Sequence, residues 1–165
     1  MGDSKQLKKL EVYQINVSDV ATITEAGLGG FKIFSKNQCV TYNGIATYTV
    51  DLSDLSEDDI TLDEDNRVVT ISVPKVTLEK INIPEEDIKF GETKKGKLAF
   101  GEIKLSGDQY KSIQAEARKR MKAKLKEDKV SKTAKKFAEM SIWEIYQPII
   151  NGVGSGYSLE VKFAD

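Results

Sequence analysis

The period of the apolar pattern changes at about residue 106, and this change limits the possible folds more than any single motif. Upstream of it, apolar residues come in short runs of the kind strands use. Leu10 to Val17 carries Leu10, Val12, Ile15 and Val17 in imperfect alternation, and Phe31 to Phe34 reads as a short aromatic strand. Val40 to Val50 is rich in Val, Ile, Thr and Tyr, and Asn43-Gly44 lies inside it. That dipeptide either turns a tight hairpin or marks a bulge. Ile60 to Leu62 and Val68 to Val73 flank the polar loop Asp63-Glu64-Asp65-Asn66, which predicts a hairpin. Pro74 ends its second strand, because proline has no N–H to give to a ladder. Lys80 to Ile83 and Ile88 to Phe90 read as further strands, and Lys94-Lys95-Gly96 as a turn into Lys97 to Phe100.

Downstream, the spacing becomes helical. Ser106 with Gln109 three residues on forms a capping-box pattern. Tyr110, Ile113, Ala117, Met121 and Leu125 then make one apolar stripe. A second helix is expected from about Lys132, with Ala134, Phe137, Ala138, Ile142, Ile145, Tyr146 and Ile149 inward. Pro148 should kink or end it, and Asn151-Gly152 supplies a left-handed stop. Tyr157 to Phe163 alternates again, as a closing strand. The expectation is an α+β fold: an antiparallel or mixed sheet formed mainly by the N-terminal two thirds, packed by two C-terminal helices, with a final strand.

A length of 165 residues suggests one domain, taken as residues 10–165, with residues 1–9 as a polar extension or expression remnant. The chain has no His and one Cys, so chemistry that needs imidazole and any intrachain disulfide are excluded. Lys and Arg number 25 against 26 Asp and Glu, so there is no global electrostatic footprint for nucleic acid. No run approaches the length of a membrane span, and the polar start is not a signal peptide. Cys39, with no cationic neighbour, is expected to be a buried structural thiol.

Two charged stretches invite functional readings. Residues 51–65 hold Asp51, Asp54, Glu57, Asp58, Asp59, Asp63, Glu64 and Asp65 without a Lys or Arg. An EF-hand loop starting at Asp63 fails, because Val68 falls where glycine is needed. A solvated turn and hairpin loop is the favoured reading. A divalent-metal-dependent carboxylate enzyme built on this stretch stands as an alternative. Residues 111–136 carry eleven basic residues against three acidic ones. The favoured reading is the wet face of an amphipathic helix. The functional reading is an anionic surface, lipid head groups or nucleic acid, bound through Arg118, Lys119, Arg120, Lys122, Lys124 and Lys126. No aromatics interleave to stack bases, which disfavours nucleic acid. Gly152 to Gly156 follows a helix and precedes a strand, the wrong order for a phosphate loop, so it reads as a turn. Gly27 to Gly30 reads as a flexible loop, and Trp143 with Ile142, Ile145 and Tyr146 as core, partly exposed if the domain oligomerises.

The order of short motifs adds a family resemblance. Tyr42-Asn43-Gly44-Ile45-Ala46, Val50 to Leu55, Asp59-Ile60-Thr61 and Val68 to Pro74 resemble the bacterial family called domain of unknown function 4230. The helical region Ala115 to Ala138 and the strand Tyr157 to Phe163 occupy the expected places, so the likeness covers Leu10 to Phe163. The chain departs from the pattern at Thr49, where the family tends to carry Gly, and at Val73, where it tends to carry Leu. The resemblance implies no catalytic residue. It does imply an N-terminal membrane anchor ahead of this domain, and so an extracytoplasmic location. The expected function is a non-catalytic binding or scaffold domain, with no cofactor, no metal ligand, and a protein partner or a membrane surface as its target.

Overall fold

The structure, a computed structural model, describes residues 9–154 and 156–164, so the expected extension at 1–9 falls almost entirely outside the described residues. The fold is α+β: among the described residues there are eight strands and two α-helices, with the α-helices after β7 and one strand after them. The strands are β1 (Lys9–Glu25), β2 (Lys36–Asp51), β3 (Ile60–Asp63), β4 (Val68–Val73), β5 (Thr77–Asn82), β6 (Ile88–Phe90), β7 (Lys94–Lys95) and β8 (Ser158–Phe163). The helices are α1 (Gly107–Lys124) and α2 (Asp128–Val153). One sheet has the order β1-β2-β5, with β6 and β7 also paired to β2, and the other has the order β3-β4-β8.

The chain divides into two compact units. The first holds the residues up to Gln14, Thr47–Lys80 and those from Glu127 on; the second holds Ile15–Ala46 and Ile81–Lys126.

In the first unit, β3 and β4 form the predicted antiparallel hairpin, in register from Ile60 opposite Ile71 to Asp63 opposite Val68. Its turn is closed by Asp63, which accepts from the backbone N–H and the side-chain amide of Asn66 at 2.9 and 2.8 Å. β8 lies parallel to β4, from Val68 opposite Ser158 to Val73 opposite Phe163. A parallel neighbour needs a long crossover, and here the chain between the two strands supplies one that includes α2, which packs against β8. The core of this unit is Val12, Tyr48, Val50, Ile71, Val73, Ala134, Ala138, Ile142 and Leu159. Tyr13 stacks on Phe137 with ring centroids 5.1 Å apart.

In the second unit, β2 pairs antiparallel with β6 and with β7. Ile23, Val40, Tyr42, Ile83, Ile88, Ala117 and Met121 form one core cluster, which joins α1 to these strands. α1 starts where the sequence predicts. Ser106 accepts from the Gln109 N–H at 3.3 Å, and the Gln109 side chain accepts from the Ser106 N–H at 2.9 Å. Gly44 turns no hairpin: β2 runs straight through it. A Cβ there would sit 2.8 Å from the carbonyl oxygen of Asn82, so glycine lets the β5 backbone come close.

Several expectations are corrected. The imperfect alternation of β1 has a cause, since the buried side changes from even to odd positions between Val12 and Tyr13, as one extra residue in a strand produces. Phe31 to Phe34 is no strand. Lys32–Phe34 forms a 3-10 turn after Gly29 and Gly30, both at positive φ, and the Ser35 hydroxyl closes it on the Lys32 carbonyl. Pairing with β2 falls on Lys94–Lys95, and Lys97-Leu98 is a turn closed by the Ala99 N–H on the Gly96 carbonyl, with the Leu98 N–H on the Ile33 carbonyl. α2 begins at Asp128, ahead of Lys132, and continues through Pro148. The carbonyl that Pro148 leaves without its helical donor belongs to Glu144, and both residues are exposed, so water can serve it. The helix ends on Gly154 in an extended conformation, with no left-handed stop at Asn151-Gly152. Of the residues expected inward on α2, Ala134, Ala138 and Ile142 are buried, whereas Phe137, Ile145 and Ile149 are 42%, 44% and 57% exposed. Trp143, expected in the core, is 48% exposed. Cys39 is exposed because Val40 and Tyr42 take the buried side of β2, and alternation turns Cys39 to the other.

Candidate functional site

The basic stretch does not act as one patch. In the second unit, α1 buries Ala117 and Met121, its C-cap Leu125 is buried too, and the cations stay outside. Two of those cations are already committed. Arg120 donates to Asp19 at 2.8 Å from Nε and lies 2.7 Å from it at the guanidinium end, while the Lys124 ammonium reaches Asp19 at 3.2 Å and the Ser18 carbonyl at 3.0 Å. Asp19 is buried on β1. Burial raises the pKa of its carboxyl, yet the hydrogen bonds from Arg120 and Lys124 outweigh that and hold it below the ordinary carboxylate value. The same contact raises the Arg120 pKa. These two cations fasten the helix to β1.

The other four candidates are not held in this way. Arg118, Lys119, Lys122 and Lys126 are exposed and make no ion pair among the described residues. The predicted set of six therefore splits into four free cations and two structural ones.

Three carboxylates of the acidic stretch, in the first unit, close turns. Asp51 accepts from the Ser53 backbone and hydroxyl, Asp59 accepts from the Ser56 backbone and hydroxyl at 2.9 Å, and Asp63 closes the β3–β4 turn. The hydrogen bonds from Asn66 hold the Asp63 carboxyl below its usual value. Among the described residues, no group of three or more His, Cys, Asp or Glu could hold a metal ion.

Among the buried polar residues, sequence reasoning missed Asp19 and Gln147. The signal for Asp19 is a lone carboxylate at an inward position of β1, in line with Val17, Ala21 and Ile23. Gln147 lies in the first unit. Its side-chain oxygen accepts from the Leu159 N–H at 2.9 Å, and its amide donates to Asn151 at 2.8 Å and to the Tyr157 carbonyl at 3.0 Å. It takes up the backbone groups at the start of β8.

These features define an α+β fold in which the buried Asp19 and Gln147 tie helices to strands. The chain belongs to the family described as Protein of unknown function (DUF4230), whose model matches residues 4–162. Neither a curated protein nor a solved structure matches it.

Proposed function

We propose that this chain is a non-catalytic binding module that docks on an anionic surface through α1 and the turn after it, in a protein held at a bacterial membrane. One observation carries the reading: Arg118, Lys119, Lys122 and Lys126 stay exposed and unpaired while Arg120 and Lys124 are taken by Asp19. A basic residue close to an anionic bilayer contributes about 1 kcal/mol, so four acting together are enough for salt-sensitive attachment. The tether rests on the resemblance described above. Among the described residues, no helix is long and apolar enough to cross a membrane. A bilayer is favoured over nucleic acid because the one aromatic of α1, Tyr110, is half-buried against the core and cannot stack on a base.

Co-sedimentation with vesicles tests this. Phosphatidylglycerol vesicles should pellet the protein at low salt and phosphatidylcholine vesicles should not. Replacing Arg118, Lys119, Lys122 and Lys126 by Gln should weaken the binding about a hundredfold or more. Arg120 is kept, because it holds Asp19. Binding that ignores salt, or that survives the four substitutions, ends the reading, and so does tighter binding to a DNA or RNA duplex than to the vesicles. Fractionation of source cells with protease treatment of spheroplasts tests the tether separately. A soluble, protected protein would refute it.

A further inference from the structure

The outer face of α2 carries large apolar side chains that the first unit covers only in part, Phe137 having one ring face on Tyr13. Phe137, Met140 and Trp143 are 42%, 47% and 48% exposed. Lys136, Glu139, Met140, Trp143 and Glu144 line a recess of about 380 Å³ along this face. Exposed apolar side chains gathered on one regular element mark an interaction surface. None of Lys136, Glu139 and Glu144 forms an ion pair among the described residues.

The order of residues along the strip says what covers it. Lys136 lies four positions before Met140 and Glu144 four positions after it, all on one side of the helix. Lys136 and Glu144 are therefore separated by about 12 Å along the axis, too far to pair within one chain. Phe137 and Trp143 lie three positions before and after the same Met140. The strip is thus self-complementary about Met140. An identical helix laid antiparallel, with its own Met140 opposite this one, sets each Lys136 against the partner's Glu144 and each Phe137 against the partner's Trp143. A parallel helix sets like charges together and is rejected. We propose that α2 is a self-association face, and that a second copy of this chain docks on it antiparallel, around a two-fold axis at Met140. Such an interface is isologous: the same strip serves both partners. The proposal is independent of the role assigned to α1.

Sedimentation equilibrium of the full chain, from micromolar to millimolar, tests it. The wild-type chain should form a concentration-dependent dimer. Lys136→Glu or Glu144→Lys alone turns two attractive contacts into two repulsive ones, and each should weaken the dimer about tenfold or more. The two changes together restore the pairing with its charges exchanged, and should return affinity to within about threefold of wild type. Circular dichroism melting shows whether each variant is folded. In a Cys39→Ser background, Met140→Cys should cross-link two chains under mild oxidation, since only a residue near the axis meets its own copy. A chain that stays monomeric at every concentration, or that binds a different protein on this face instead, overturns the proposal. So does a dimer indifferent to the single charge changes, or one that the double change fails to restore.

Discussion

In the second unit α1 is fastened to β1 by charge, through the buried Asp19 with Arg120 and Lys124. In the first unit α2 is fastened to β8 by a neutral amide, through Gln147 and the backbone of Tyr157 and Leu159. Both devices satisfy polar groups that burial would otherwise penalise. They differ in what happens when a partner is removed. Arg120 and Lys124 are 43% and 54% exposed at the side chain, so water can take either of them. Asp19 has no such outlet. The carboxylate is the group at risk in the second unit, and the backbone N–H of Leu159 is the group at risk in the first.

The largest effect follows from stranding the carboxylate. Changing Arg120→Met and Lys124→Met together should cost about 3–5 kcal/mol at neutral pH, because a buried charge is left without its partners. The sign of the pH dependence should also reverse. In the wild-type chain the Asp19 carboxyl lies below its unfolded value. Its contribution is therefore present above about pH 4 and is lost as pH falls through the depressed native value. In the variant, burial acts unopposed and the native pKa rises above the unfolded one. The penalty then appears as pH rises through about 4, and most of the deficit should vanish in acid. Urea unfolding of both proteins from pH 3.5 to 8 measures this, and a deficit that does not change with pH would show that Asp19 is not the stranded group.

Gln147→Leu should give the next largest effect, about 1–3 kcal/mol, with the Leu159 N–H left unpaired. Because the amide does not titrate, the difference from wild type should be flat across the same pH range. Equal denaturant slopes for the two proteins would show that the loss is one of stability and not of denatured-state compactness. A deficit that changes with acid would mean that the two fastenings do not differ in the way their chemistry implies.

Where local chemistry decided the outcome, the sequence was readable. The β3–β4 hairpin, the start of α1 at Ser106 and the strand β8 follow from turn residues, a capping box and alternation. Where tertiary packing decided, it was not. The seven apolar positions assigned to the inside of α2 fit a single stripe, but a helix passing through Pro148 keeps only Ala134, Ala138 and Ile142 fully inside. Past that point Gln147 is the buried residue, and Ile145 and Ile149 face out. The basic residues of α1 were readable as a set. Their division was not, because the partner of Arg120 and Lys124 lies about a hundred positions away on β1, inside an apolar pattern. An acid at an inward strand position is the sign that a cation must come from elsewhere in the chain.

The smallest expected effect separates the beginnings of the two helices. α1 opens with a reciprocal box between Ser106 and Gln109, while Glu127 before α2 makes no side-chain cap hydrogen bond. Ser106→Ala removes the acceptor for the Gln109 N–H and should cost about 1 kcal/mol. Glu127→Ala removes no such acceptor and should stay within about 0.5 kcal/mol of wild type. Ser106→Asn is the control. It keeps a side-chain oxygen at the cap and should recover most of the loss, which loss of a surface hydroxyl alone would not explain. If the two alanine variants unfold at the same denaturant concentration, the box contributes nothing and α1 is held by its core and by Asp19 alone.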